Sequence, residues 1–226
     1  MIRRVSEDRR YDLLLLDFGG VCLLNPVELH AVAEARLGLE PGAITWLGPL
    51  DPTTDELWRE MIAGRITERD YWATRAADIG QAAGQKLSTR DYMSLLYDPP
   101  SPELVRPGAT AVVGAAITAG FGVSVLTNDM RAFHGREWEH GIDLLQRVDH
   151  IVDCSDTGIL KPDPRAFERA AEMTGVSLDR MLFVDDQPGN VEGGLAVGLD
   201  SMWFDIANAA DAWAEVGARL GLERLS

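Results

Sequence analysis

At 226 residues, with 36 acidic and 21 basic side chains and a formal net charge of −15, the chain is long enough for one sizeable core, with or without a smaller inserted unit, and needs no staple to fold. The acidic excess repels phosphate backbones and anionic bilayers, which argues against nucleic acid and membranes as partners but not against a small phosphate held by a local cation. Two cysteines, Cys22 and Cys154, make no secreted disulfide framework and point to reduced thiols in a cytoplasmic protein.

The arginines at the start, Arg3, Arg4, Arg9 and Arg10, read as a solvated tail, and the short apolar run behind them ends in a charge, unlike a signal sequence or a membrane span. That run, Leu13-Leu14-Leu15-Leu16, is continuous rather than alternating, as suits a parallel strand covered on both faces. Asp17 stands at its tip, followed at once by Phe18-Gly19-Gly20-Val21. The texture then changes. From Asn25-Pro26 to Asp98-Pro99-Pro100-Ser101-Pro102 the stretches 27–37, 55–63, 67–77 and 89–97 have apolar residues at helical spacing, with Thr54 and Thr67 as candidate N-caps. This predicts an all-helical insert over 25–103, set into an α/β core built from 1–24 and 104–226.

Beyond Pro107-Gly108 the pattern predicts a helix over 109–119, a strand over 123–126 running into Thr127-Asn128-Asp129, a polar helix over 134–146 and a short strand at 151–152. Lys161-Pro162 precedes a helix over 164–174, and a strand over 181–184 runs into Asp185-Asp186. A helix over 191–197, a strand over 201–204 and an amphipathic helix over 209–220 close the chain.

Singly, each polar cluster has a structural explanation. A strand-end Asp17, Thr127 or Asp129 caps a following helix, Lys161 is a surface charge, and Asp185-Asp186 opens a turn in Asp-Asp-Gln-Pro-Gly. Together and in this order they point to one ligand, because the carboxyl ends of parallel strands in an open sheet converge on one crevice. The four clusters resemble the four motifs of the haloacid dehalogenase superfamily, as do Val105-Arg106-Pro107-Gly108 and the run Ser-Asp-Thr-Gly-Ile-Leu-Lys ending at Lys161. The resemblance implies a three-layer, Rossmann-like parallel sheet with an inserted helical cap. It implies an enzyme in which Asp17 attacks a small phosphorylated substrate and forms an aspartyl-phosphate. It also implies Mg²⁺ held by Asp17, the backbone carbonyl of Gly19 and Asp186, with Asp185 in support and Asn190 bracing the loop. Thr127, Asn128 and Lys161 are then the phosphoryl contacts, with Thr127 and Lys161 joining Asp17 in catalysis.

One position departs from the family pattern. Most phosphatases of the superfamily carry a second aspartate two residues after the nucleophile, as acid and base for the proton transfers. Here that place is Gly19. The expectation is therefore a phosphatase for good leaving groups such as sugar 1-phosphates, resembling the α-glucose-1-phosphate phosphatase-like members that carry glycine there. The alternatives are a 2-haloacid dehalogenase, whose halide leaves without a proton, and a degraded member kept for binding or regulation. Gly19-Gly20 lacks the third glycine of a dinucleotide fingerprint. His30, His134, His140 and His150 have no metal-ligand spacing, although His134 follows the second motif closely enough to sit near the site mouth. Trp46, Trp58, Tyr71, Trp72, Tyr92 and Tyr97 of the insert read as a small helical core, with stacking on a sugar ring as the other use.

Overall fold

The run Leu13–Leu16 forms the central strand, β1, of an all-parallel sheet completed by β2 (Gly122–Thr127), β3 (His150–Asp153), β4 (Met181–Asp185) and β5 (Asp200–Trp203), in the order β3-β2-β1-β4-β5. The computed structural model describes residues 9–222, so Arg3 and Arg4 lie outside the described residues. The leucine run is explained by its two faces. Leu14 and Leu16 pack with Val123, Val125, Leu182 and Val184 in one core, whereas Leu13 and Leu15 pack with Leu126, Met181, Phe183 and Phe167 in another. Helices α5 (Pro107–Thr118) and α9 (Ala209–Arg219) cover the first face, and α7 (Pro164–Thr174) covers the second. The result is a three-layer α/β arrangement. Among the described residues no helix is long and apolar enough to cross a membrane.

Between β1 and β2 the chain builds α1 (His30–Leu37), α2 (Glu56–Ile62), α3 (Glu68–Ala82) and α4 (Thr89–Tyr97). No part of this insert joins the sheet; its only extended pairing is one bridge between Leu47 and Asp51. The two connections touch through a second bridge, Leu23 to Val105. All six insert aromatics named above are buried, and Trp46, Trp58, Tyr71 and Trp72 meet edge to face. Packing is their main use.

Some local expectations fail for identifiable reasons. Asp55, not Thr54, caps α2, accepting the Trp58 N–H at 2.9 Å, while Thr54 closes the preceding turn. The helix expected over 134–146 does not form. Instead α6 (Met130–His134) stops at Gly135, whose φ of 82° leaves the helical region, and a short 3₁₀ turn, Glu137–Gly141, follows. Arg9 and Arg10 are not free tail residues: Arg9 lies 4.6 Å over the Phe121 ring and Arg10 pairs with Asp200. The helix after β4, α8 (Pro188–Ala196), starts earlier than 191 because proline suits a first helical turn.

Gly108 shows why the proline-glycine pair stands where it does. A methyl group there would sit 2.7 Å from the ring of Trp213, where α5 packs against α9. Gly108→Ala should therefore destabilise the protein by about 1–3 kcal/mol, as overpacking does, although helix propensity favours alanine by about 1 kcal/mol. The urea midpoint reports the sign.

Candidate active site

The loops at the carboxyl edge of the sheet bring the expected residues to one cleft. Asp17 follows β1 and donates its N–H to the Val184 carbonyl at 2.8 Å, while Thr127 ends β2 and Asp185 ends β4. Asp17, Gly19, Thr127, Asn128, Lys161, Asp185, Asp186, Asn190 and His134 all line this cleft.

Its centre is Lys161. Its side chain is 1% exposed, and the ammonium donates at 2.6 Å to Asp17 Oδ1, at 2.7 Å to Asp185 Oδ2 and at 2.8 Å to the Leu126 carbonyl. All three protons are thereby placed. Burial works against its charge, but the Asp17 and Asp185 carboxylates outweigh that and hold the amine well above its ordinary range. Asn128 fixes the lysine's backbone: its Oδ1 accepts the Lys161 N–H at 2.8 Å and its Nδ2 donates to the Lys161 carbonyl at 3.1 Å. The residue expected at the substrate thus has a positioning task first.

Asp185 is fully buried and accepts from Lys161, from the Gln187 N–H at 2.8 Å and from Asn190 Nδ2 at 3.1 Å. Asn190 therefore braces Asp185, and Asp185 orients the lysine. Asp186 differs. Its carboxylate has no donor among the described residues, and burial, then Asp185 and Asp17, push it well above the usual carboxylate range. Asp17 is pushed up to about 7, by burial first, with Lys161 opposing and Asp185 adding to the shift. Its Oδ2, unlike Oδ1, has no donor among the described residues.

The two glycines after Asp17 are under opposite constraints. Gly20 has φ 78°, and a Cβ there would stand 2.9 Å from Asp186 Oδ2. Gly19 is exposed, has no positive φ, and a Cβ there would meet nothing within 4 Å.

The cleft is also lined by residues that the sequence did not single out for the site, Glu68 and Met93 among them. Glu68 opens α3 and accepts the Trp72 Nε1–H at 3.3 Å, and Trp72 lines the cleft beside it. Arg69 grips Asp129 with two bonds, Nε to Oδ2 at 2.9 Å and Nη2 to Oδ1 at 2.5 Å, tying the insert to the loop after β2. The sequence shows the capping box of Thr67 and Asp70 that starts α3. It has no signal that aims this helix end at the core. His134 does reach the cleft, stacked 4.3 Å from Trp138, and burial pushes it down to about 4, so it is neutral at physiological pH.

Five lining carboxylates, Asp17, Glu68, Asp129, Asp185 and Asp186, face Lys161, and Arg69 answers only Asp129. Among the described residues, the lining carboxylates left without a cation partner are Glu68 and Asp186. No group of three or more His, Cys, Asp or Glu side chains in metal-holding geometry occurs among the described residues. A metal here would draw on two carboxylates, the Gly19 carbonyl and water, an all-oxygen set of the kind that Mg²⁺ accepts.

A family model of haloacid dehalogenase-like hydrolases matches residues 11–198. The chain is 31% identical over 131 residues to Phosphatase MT3486 of Mycobacterium tuberculosis, a match covering 58% of this chain and 57% of that one. It thus spans little more than half of that relative. It is 25% identical over 171 residues to (S)-2-haloacid dehalogenase 1 of Pseudomonas sp., covering 75% of this chain and 74% of the dehalogenase. Among solved structures, the magnesium-bound HAD-hydrolase YfnB of Bacillus subtilis shares the fold over 87% of each chain, with a TM-score of 0.63 and 21% identity.

The charge imbalance has a measurable cost. A carboxyl whose folded pKa is raised destabilises the fold once pH rises above its unfolded value of about 3.9. In EDTA, Asp186→Asn should therefore raise the thermal midpoint by a few degrees at about pH 7.5, since about 1 kcal/mol moves it 2–4 °C, and should leave it nearly unchanged at about pH 4. Calorimetry at both values checks the sign.

Proposed function

Because the chain belongs to the haloacid dehalogenase-like hydrolases, we propose that it is a Mg²⁺-dependent phosphatase acting on a small phosphorylated metabolite through an aspartyl-phosphate on Asp17. The supporting observation is the clamp on Asp17: Lys161 holds Oδ1 at 2.6 Å and leaves Oδ2 to attack. As the Oδ2–P bond forms, the ester P–O bond breaks; water then attacks phosphorus, releases phosphate and restores the carboxylate. Lys161, beside the nucleophile, and the Thr127 hydroxyl, which has no protein partner among the described residues, are suited to the phosphoryl oxygens. Asp17, the Gly19 carbonyl and Asp186 would hold Mg²⁺, which supplies the charge neutralisation that two approaching anions require.

Residues 25–103 form the cap in this reading, over a core of 1–24 and 104–226, and cap closure excludes water from the reacting phosphoryl group. The substrate is a phosphorylated small molecule and not nucleic acid. Gly19, considered alone, favours an anomeric or otherwise readily departing group, as in a sugar 1-phosphate. Cys22 and Cys154, buried and unbridged, agree with a cytoplasmic setting. Displacement of halide by Asp17 is the competing chemistry, and a relative bears that name. It has no use for the unpartnered carboxylate of Asp186. A purely binding role leaves the Asp17–Lys161–Asp185 clamp without a purpose.

A panel of phosphorylated metabolites and 2-haloacids, assayed with and without Mg²⁺, separates these readings; phosphate release that requires Mg²⁺ is the expected result. Asp17→Asn should abolish it, and turnover equal to wild type would refute the nucleophile assignment. Lys161→Ala should lower kcat/KM by about 10²–10³-fold, and a change under about tenfold counts against its role.

A further inference from the structure

A proton is unaccounted for at Gly19, and the walls of the cleft hold one group placed to carry it. Of the titratable lining residues, Asp17, Asp185 and Asp186 form the floor around the nucleophile, and Asp129 is held by Arg69. Tyr97 gives its hydroxyl proton to the Leu24 carbonyl at 2.7 Å, and His134, pushed down to about 4 by burial, has no proton to give near neutrality. Glu68 remains, the one carboxylate that the insert contributes to the lining. We propose that Glu68 donates the proton to the leaving oxygen and then serves as base for the hydrolytic water, a task that Gly19 cannot perform. This rests on the phosphatase reading given above.

The placement is built at three levels. Glu68 is the first residue of α3, whose start is set by a reciprocal cap: Asp70 N–H to Thr67 Oγ1 at 3.1 Å, and Thr67 N–H to Asp70 Oδ2 at 3.0 Å. Trp72 Nε1 donates to Glu68 Oε1 at 3.3 Å, Oε2 has no donor among the described residues, and the residue lines the cleft. The neighbouring Arg69 is bound bidentately to Asp129, two residues past Thr127, so this end of α3 is fastened to the loop that serves the phosphoryl group. In an in-line displacement the leaving oxygen departs away from Asp17, toward the wall that the insert supplies.

The surrounding charge agrees. Burial pushes Glu68 up, the Trp72 hydrogen bond opposes it, the Asp185 and Asp129 carboxylates add to the rise, and Lys161 opposes it. Asp17 and Asp186 also feel the Glu68 charge. A bound phosphate dianion acts in the same upward direction as these carboxylates. In the first step the Glu68 O–H proton passes to the ester oxygen as that P–O bond breaks and the Asp17–phosphorus bond forms, releasing a neutral alcohol. In the second, the Glu68 carboxylate takes a proton from water as the water oxygen bonds to phosphorus and the Asp17–phosphorus bond breaks, giving hydrogen phosphate, free Asp17 and a protonated Glu68. Both charge and protons balance. Simple alkyl phosphates then become substrates, and the leaving-group restriction imposed by Gly19 alone is lifted.

The test is kcat/KM, which reports the first step, across a series of alkyl and aryl phosphates on wild type, Glu68→Gln and Glu68→Ala, with Mg²⁺ saturating and thermal midpoints recorded. Both variants should lose about 10²–10⁴-fold on alkyl phosphates and only a few-fold on nitrophenyl phosphate. The decline of wild-type kcat/KM for alkyl phosphates at high pH should vanish with them. Adding Gly19→Asp, for which the loop has room, should raise alkyl turnover far more in Glu68→Gln than in wild type, and an equal gain in both backgrounds overturns the assignment. An equal loss across the whole series, a rise in KM with kcat unchanged, or undiminished alkyl turnover overturns the assignment while leaving the phosphatase reading standing. Absence of phosphate release by wild type overturns both.

Discussion

Everything at the carboxyl edge of the sheet depends on one buried ammonium. Lys161 is enclosed between Asp17 and Asp185, which end or follow the two neighbouring strands β1 and β4, and it also bonds to the Leu126 carbonyl of β2. Removing an ammonium from water is costly, and the two carboxylates and the carbonyl are the hydrogen-bond partners that offset that cost. The site therefore exists as a unit: without the lysine, two buried carboxylates would repel each other, and without either carboxylate the lysine would lose half its compensation. Asn128 and Asn190 serve this unit from outside, one holding the backbone of the lysine and the other both carboxylate oxygens of Asp185.

The insert is tied to that unit at separate places. Near the connections, Arg106 donates to the Gly20 carbonyl at 2.8 Å and pairs with Glu28, while Tyr97 and Trp138 cross-link through backbone carbonyls. At the far end Arg69 reaches Asp129 from a side chain that is 51% exposed. A part-exposed ion pair is a weak fastening, of order 1 kcal/mol or less. The pair near the connections is thus the more buried, whereas the Arg69 side of the distal pair is open to solvent. That asymmetry suits the cap closure proposed above.

Much of the fold was legible because the signals were local and redundant. Continuous apolar runs marked the parallel strands, and the proline-rich stretches marked where the insert meets the core. The misreadings arose where two local rules competed. Gly135 stops the helix expected over 134–146, and Asp55 takes the cap expected of Thr54. Within the site, Asp17, Thr127, Lys161 and Asp186 were legible as strand-end or loop polar groups in a fixed order. Glu68 was not. Its sequence context is an ordinary capped surface helix, and its relation to Asp17 arises only from the packing of the insert onto the core, across 51 positions of chain.

Gly19 and Gly20 show how fold and chemistry divide one short loop. Gly20 is required sterically, since its φ of 78° and the 2.9 Å approach of Asp186 leave no place for a side chain. Gly19 is under no such requirement, with open space around it and an ordinary backbone. The missing carboxylate is therefore not a concession to packing. A loop that has room for an acid and lacks one leaves proton transfer to a group elsewhere, and the only lining carboxylate on the insert is Glu68. An acid attached to the core is present whether the cleft is open or closed. An acid attached to the insert is in place only when α3 lies over the site and Arg69 meets Asp129. In the proposal made above, proton delivery and the exclusion of water coincide, because the same packing of α3 over the site places the acid and covers the cleft.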